Sequence, residues 1–301
     1  MIGLGYPCIN TTIGCTAGSG FRLRNYSDEK ETVSVDANLT CLEKMLRYNA
    51  EKGLLFFRIG SGLVPFASHP ACRYDWKKHF AGRLEKVGAL ALEKGIRISI
   101  HPDQFVLINS PRRKVVLNSI SELAYACHLL EAMKLGPDAK VQIHIGGGYG
   151  NKKKSMGNFI REYLSLPQMI KKRLVIENDH KIYSLADALE IHSRVGLPVL
   201  FDSFHHECLS AGETLREALG LASATWRKKD GPLMCDYSQA RPGAARGTHA
   251  DSINLDRFRE FMETAQDYDM DIMLEIKNKQ KSALAALRFL KKEYREILRR
   301  D

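Results

Sequence analysis

Short apolar segments recur along the chain at a spacing typical of alternating strands and helices. Each has five to seven residues rich in Ile, Val, Leu and Phe, and they cover residues 2–6, 54–60, 96–100, 141–145, 173–177, 198–202, 232–237 and 271–276. Segments of this length are too short for ordinary helices and are typical of strands that are buried on both faces. The pattern therefore predicts eight parallel strands.

Segments with helical periodicity lie between these strands, including residues 36–53, 75–95, 115–136 and 185–196. Because no Pro-rich or Ser-rich linker interrupts the chain, we expect an α/β fold with one domain over residues 1–301, a single (β/α)8 TIM barrel. The alternative is an open, doubly wound sheet. It is disfavoured because no G-x-G-x-x-G motif follows the first strand.

The chain is basic, with 45 Lys and Arg against 35 Asp and Glu and a formal net charge of +10. This excess favours polyanionic partners, although many basic proteins bind no nucleic acid. The basic segment 291–300 is interpreted as a solvated helix face on the barrel exterior. Neither a membrane-spanning segment nor a signal peptide is recognisable, so we expect a cytoplasmic monomer with no membrane partner. The seven cysteines form no C-x-x-C pair, and we expect mostly reduced thiols.

Histidine or a carboxylate closes five of the predicted strands. These residues are His101, His144, Glu177, Asp202 and Glu275. In barrel enzymes the active site lies where strands end, so the five side chains should converge at one mouth of the barrel. Converging carboxylates repel one another unless a cation neutralises them, and mixed imidazole and carboxylate ligands suit borderline divalent ions.

Three further residues extend this set of candidate ligands. His205 follows Asp202 by one helical turn, His249 follows the seventh strand, and Asp236 lies at the end of that strand. The set is larger than one ion can use, so we expect a centre of two or three divalent ions. Manganese is the favoured ion, zinc, magnesium or cobalt are alternatives, and no organic cofactor is expected.

A divalent metal cluster of this kind can cleave a phosphodiester by activating a water and holding the phosphate. Two other classes of function remain open at this point. An aldose-ketose isomerase would use similar ligands to bind sugar oxygens, and a damage-binding module would bind altered DNA without cutting it. The residues around the barrel mouth should separate these alternatives.

Polar, aromatic and basic residues follow the predicted strand ends. Gln104 and Phe105 come just after His101, and such a pair could wedge into a base stack, unless Phe105 packs into the barrel wall. The glycine-rich segment 146–155 is predicted to be a flexible basic loop. The remaining candidate DNA contacts at the rim are Tyr6, Asn10, Arg58, Ser61, Lys152, Lys153 and Lys154.

Several motifs occur together in one order: GYPCIN (5–10), FRIGS (57–61), SIHPDQF (99–105), QIHIGG (142–147), VIEND (175–179), FDSFHH (201–206), GTHADS (247–252) and LEIKNK (274–279). In this arrangement the chain resembles the ultraviolet damage endonucleases, which are related to the endonuclease IV and xylose isomerase barrels. The resemblance implies a repair enzyme that incises damaged double-stranded DNA on the 5′ side of ultraviolet photoproducts, with abasic sites as possible further substrates. The product would carry a 3′ hydroxyl.

The resemblance also implies roles for individual residues. Glu177, His101 and Glu275 would be catalytic, Gln104 and Phe105 would probe the lesion, and Tyr6 and Asn10 would help to hold the damaged bases. The family's three-metal site would fall on His101, His144, Glu177, Asp202, His205, His249 and Glu275.

The chain departs from this family on the seventh strand. Some members carry a Lys and, two residues later, a His at this place, and the Lys can be carboxylated near the metals. Here the corresponding residues are Met234 and Asp236. A modified lysine is therefore not expected, and Asp236 is a candidate ligand in place of the missing His.

Overall fold

Eight parallel strands form a closed barrel in the computed structural model, which describes residues 1–299. The strands are β1 (Ile2–Pro7), β2 (Phe56–Gly60), β3 (Arg97–His101), β4 (Lys140–His144), β5 (Leu174–Glu177), β6 (Val199–Asp202), β7 (Leu233–Tyr237) and β8 (Met270–Leu274). Each strand pairs with its neighbours in chain order, and β1 pairs with β8 to close the sheet. The predicted (β/α)8 barrel is confirmed. Residues 300 and 301, the last two of the predicted domain, lie outside the described residues. Residue 300 is also the last residue of the basic segment 291–300.

Helices surround the barrel. They are α1 (Asp28–Lys52), α2 (Trp76–His79), α3 (Ala81–Glu93), α4 (Arg113–Ala132), α5 (Lys152–Ser165), α6 (Gln168–Lys171), α7 (Leu185–Val195), α8 (Ser203–Cys208), α9 (Leu215–Ser223), α10 (Leu255–Ala265) and α11 (Gln280–Glu293). Helix α1 begins well before the predicted residue 36, because the Ser27 hydroxyl accepts a hydrogen bond from the Lys30 amide and caps it. The predicted helix over 75–95 is divided into α2 and α3 at Phe80.

Alternate strand residues point into the barrel and form layers. One buried apolar cluster consists of Phe56, Val175, Leu200, Met234 and Met273. Side chains on a strand alternate between the two faces, so the residue two positions after each of these also points into the barrel. In all five strands that residue is polar. Those polar residues are Arg58, Glu177, Asp202, Asp236 and Glu275. The polar groups at the mouth therefore lie directly above an apolar layer that closes the barrel beneath them.

Two local features complete the fold. The side chains of Cys15 and Cys41, 26 residues apart, form a disulfide that ties the segment after β1 to α1. This pair was not predicted, because sequence spacing alone does not show which cysteines meet. The other five cysteines are free, in agreement with the expectation that most are reduced. Among residues 1–299, no helix has the length and apolar character that crossing a bilayer requires.

Candidate active site

The carboxyl ends of the strands bring seven of the eight predicted ligands together in three overlapping trios, and His249 belongs to none of them. In each trio the candidate ligand atoms lie within 4.8 Å of one another. The trios are His101, His144 and Glu177; Glu177, Asp202 and His205; and Asp202, Asp236 and Glu275. Because Glu177 belongs to two trios and Asp202 to two, the groups form one continuous centre across the barrel mouth.

The junction of β6 and α8 explains how Asp202 and His205 meet. Asp202 caps α8, and its Oδ1 accepts a hydrogen bond from the His205 amide at 2.7 Å. One helical turn later the His205 imidazole returns to the centre, with Nδ1 3.4 Å from Asp202 Oδ2 and 3.1 Å from Glu177 Oε1. Both side chains thus face the same space, as their spacing predicts.

Several polar atoms in this centre are buried without a hydrogen-bond partner. They are Nδ1 of His101, Nδ1 of His144 and Oδ2 of Asp202. Buried polar atoms are almost always satisfied in proteins, so each exception calls for an explanation. Divalent ions would use these lone pairs, and a set of imidazoles and carboxylates suits such ions. The residues present therefore fit the implied metal centre.

Two histidines are oriented by main-chain carbonyls. His205 Nδ1 lies 3.0 Å from the carbonyl oxygen of Asn178, and His249 Nδ1 lies 2.7 Å from that of Glu275. A carbonyl only accepts hydrogen bonds, so in the neutral imidazole Nδ1 carries the proton and Nε2 keeps its lone pair. This arrangement is common for histidines that bind metals.

Burial and neighbouring charges set the protonation of the centre. Burial lowers the pKa of His101 to about 4, so its imidazole is neutral near pH 7. Burial alone would raise the pKa of Glu177, but His144 and His205 hold it well below its usual range, so Glu177 is ionised. Burial would also lower the pKa of His205, whereas the Asp202 and Glu177 carboxylates raise it to about 11. Imidazole binds a metal only in its neutral form, so a divalent ion at His205 would compete with a proton for this side chain.

Arg58 lies inside the barrel and not on its rim. Its guanidinium pairs with both carboxylate oxygens of Asp236 at 2.7 Å and also pairs with Glu275, and only 3% of its side chain is exposed. The prediction that Arg58 is a rim residue is wrong for this structure. The reason is strand alternation, because Arg58 follows the inward-facing Phe56 by two residues.

Tyr6 and Asn10 are also buried. Tyr6 packs edge-on against Phe57 on the helix-facing side of the sheet, and its hydroxyl donates to Asn49 Oδ1 at 2.8 Å. Asn10 Nδ2 donates to the Tyr6 hydroxyl at 2.9 Å. The expected exposed ring and amide are therefore not found at the mouth; in this structure the pair connects β1 to α1.

Gln104 and Phe105, in contrast, project from the loop after β3. Phe105 is 72% exposed, which excludes the alternative that it packs into the barrel wall. Gln104 lines a cleft of about 540 Å³ together with His101, His249 and Glu275. The predicted probe pair thus stands beside the candidate metal centre.

The predicted basic loop is partly helical. Lys152, Lys153 and Lys154 form the first turn of α5, where Asn151 Oδ1 accepts a hydrogen bond from the Lys154 amide at 2.9 Å. All three lysines are exposed, and Lys152 pairs with Asp187 at 2.6 Å. The loop predicted over 146–155 therefore ends at residue 151, after which α5 begins.

Ser61 lies away from the metal centre, in a second depression of about 760 Å³ between the loops after β2 and β3. Phe105 lines this depression, together with Phe66, Arg112 and Lys114.

The mouth also contains residues that were not among the predicted site residues. Lys277 and Lys279 line the 540 Å³ cleft, just after Glu275. The His180 ring centre lies 5.2 Å from that of His205. The spacing could have indicated His180, because it follows Glu177 by three residues, as His205 follows Asp202. The two lysines carry no such signal, since surface lysines after a strand are common.

The chain is similar to known UV damage endonucleases in sequence and in fold. The curated UV DNA damage endonuclease of Clostridium perfringens (strain 13 / Type A) is 36% identical over 290 residues, which cover 96% of this chain and 70% of the relative. The crystal structure of SacUVDE matches with a TM-score of 0.93 and 41% identity, covering 97% of this chain and 99% of that one.

More distant barrels share only the fold. Endonuclease IV from Thermus thermophilus has 14% identity and a TM-score of 0.56, over 83% of this chain and 93% of that one. Several sugar epimerases match at similarly low identity, so the isomerase alternative rests on fold alone. The sequence model of the family described as UV-endonuclease UvdE matches residues 4–300. The chain belongs to the UV-endonuclease UvdE family.

Proposed function

We propose that this protein incises duplex DNA on the 5′ side of ultraviolet photoproducts, leaves a 3′ hydroxyl, and depends on two or three divalent ions, with manganese favoured. Abasic sites are a further proposed substrate. The observation that carries the proposal is the placement of three overlapping ligand trios beside the exposed Gln104 and Phe105. One chain supplies all of these groups, so we propose that it acts as a monomer with a single domain over residues 1–301. We also propose that it acts in the cytoplasm.

The centre is suited to hydrolysis of a phosphodiester. Divalent ions bound there would lower the pKa of a water and neutralise charge on the phosphate. Glu177 would be shared between two ions, because it belongs to two of the trios, one with His101 and His144 and the other with Asp202 and His205. Together with His101 and Glu275, it is proposed as catalytic, and no side chain is needed as nucleophile.

Lysines around the mouth would hold the DNA backbone. Lys153 and Lys154 lie on the first turn of α5, and Lys277 and Lys279 border the cleft above the metal centre. Contacts between such residues and phosphates position a duplex without reading its sequence. This arrangement suits an enzyme that must find a lesion in any sequence context.

Gln104 and Phe105 would recognise the lesion. A ring that is 72% exposed can stack only weakly on its own protein, so it is available to fill the gap left by displaced bases. Displacement costs less at a photoproduct, because damaged bases pair poorly. Gln104 and Phe105 would therefore enter the duplex most easily where its bases are damaged. Entry at that point would place the lesion beside the metal centre.

Nicking of supercoiled plasmid tests this proposal. Purified protein is incubated with irradiated and unirradiated plasmid, with Mn²⁺ or with EDTA. We expect nicks only in irradiated plasmid with Mn²⁺, with 3′ ends that a polymerase can extend. Nicking that persists in EDTA would contradict metal dependence, and lesion binding without any nicking would indicate a damage-binding module instead.

A further inference from the structure

The third ligand trio differs from the other two. Asp202, Asp236 and Glu275 offer only carboxylates, whereas each of the other trios contains imidazole. It is also the trio that already contacts a cation. Arg58 Nη2 lies 2.7 Å from both oxygens of Asp236, and Arg58 Nη1 pairs with Glu275. Two of its three carboxylates therefore have a counter-charge supplied by the protein itself.

Arg58 is held in this place by a buried network. Its Nη2 also donates to Gln142 Oε1 at 2.8 Å. The Gln142 amide in turn donates to Asp236 Oδ2 at 2.8 Å and to Glu177 Oε2 at 3.0 Å. Phe56 and Met234 lie in the apolar layer that precedes Arg58 and Asp236 on their strands, so no polar group beneath the guanidinium competes with these carboxylates for it.

We propose that Arg58 acts as the third cation of this centre, so that the chain binds two divalent ions rather than three. This inference rests on the proposed metal-dependent cleavage and assigns how many ions that reaction uses. The two ions would be held by the trios that contain His101 and His205, with Glu177 between them. Asp236 is then the partner of Arg58 and not a metal ligand.

The charge balance favours this assignment. Glu177, Asp202, Asp236 and Glu275 provide four negative charges when ionised. Two divalent ions and Arg58 bring five positive charges, which leaves the centre slightly positive and able to accept a phosphate. Three divalent ions together with Arg58 would bring seven, and an ion bound by Asp236 and Glu275 would lie beside a guanidinium that stays protonated at any working pH.

The first test counts bound ions without measuring activity. Purified protein is stripped of metal, dialysed to equilibrium against a series of Mn²⁺ concentrations, and analysed by elemental mass spectrometry. We expect saturation at two ions per chain. Saturation at three would overturn this inference and leave the proposed function standing. Binding of no ion would overturn the proposed function itself, so the two failures are distinguishable.

Variants then test the role of Arg58. Arg58→Met removes the charge and leaves Asp236 and Glu275 facing each other, so we expect a third Mn²⁺ to bind. The matched control is Arg58→Lys, which retains a cation and should still bind two. An Arg58→Met protein that is folded by circular dichroism and saturates at two ions would contradict the proposal.

A second variant keeps the test decisive if Arg58→Met does not fold. Asp236→Asn has nearly the same volume and leaves Arg58 paired with Glu275. Since Asp236 is assigned no ion, this variant should bind two Mn²⁺ with dissociation constants within about threefold of wild type. Loss of one ion, or a tenfold weaker site, would show that Asp236 is a ligand and would overturn the inference.

Discussion

Phe105→Ala should damage lesion recognition while leaving the barrel and its metal centre intact. Stacking of one base on an aromatic side chain contributes about 1–3 kcal/mol, so affinity for a duplex with a single photoproduct should fall about 5- to 150-fold. Affinity for intact duplex should change little, because phosphate contacts dominate that binding. Discrimination between the two substrates should therefore fall by nearly the same factor.

The effect on stability can be worked from the exposure of the ring. Removing a fully buried Phe side chain costs about 3–5 kcal/mol, but Phe105 is 72% exposed and keeps only about a quarter of that burial. The expected cost is about 1 kcal/mol, which corresponds to a decrease of about 2–4 °C in the melting temperature. Leu92→Ala is a matched control, because Leu92 is 60% exposed near the end of α3, which leads into the start of β3, whereas the probe loop follows the end of that strand.

The assay measures the melting temperature and the affinity for a single-dimer oligonucleotide on the same preparation, with metal content as a check. Phe105→Tyr should retain most of the preference, since it keeps the ring. If Phe105→Ala retains the wild-type preference for the lesion, the wedge assignment is refuted. A drop in preference for Leu92→Ala would show that the assay reports general damage to the protein.

The remaining predictions concern the metal centre, the rim and one buried carboxylate. Glu177→Ala removes a ligand shared by two trios, so incision should be abolished and bound metal reduced while the circular dichroism spectrum persists; full metal content with full activity would contradict this. Reversing Lys153 and Lys154 to Glu should weaken binding to damaged and intact duplex alike and lower its salt dependence, and unchanged affinity at two salt concentrations would remove them from the interface. Burial raises the pKa of Glu31 to about 7, so its contribution to stability is lost as pH rises from about 4.3 through 7. Glu31→Gln should therefore raise the melting temperature at pH 8.5 relative to wild type and change it little at pH 4, and equal shifts at both values would exclude this cause.

The eight strands could be predicted from the sequence because a strand buried on both faces needs an apolar residue at nearly every position. The ligands could be predicted for a related reason. A barrel places its active site where strands end, so a His or carboxylate that closes an apolar run, such as His101 or Glu177, is already located by its neighbours in the chain. The helix start at Ser27 was missed because a cap depends on backbone geometry as well as residue type.

Tertiary structure decided whether individual side chains point into the barrel or toward the surrounding helices. Tyr6 and Arg58 both lie on strands near the mouth, yet Tyr6 packs against the surrounding helices and Arg58 points into the barrel. A strand buried on both faces shows no alternation of polar and apolar residues, so its sequence does not tell which residues point inward. The pairing of Arg58 with Asp236, 178 residues away, follows only from closure of the barrel. The sequence by itself determined the barrel and the kind of centre it holds; the register of the strands, and with it the cation placed inside that centre, was decided by packing between distant parts of the chain.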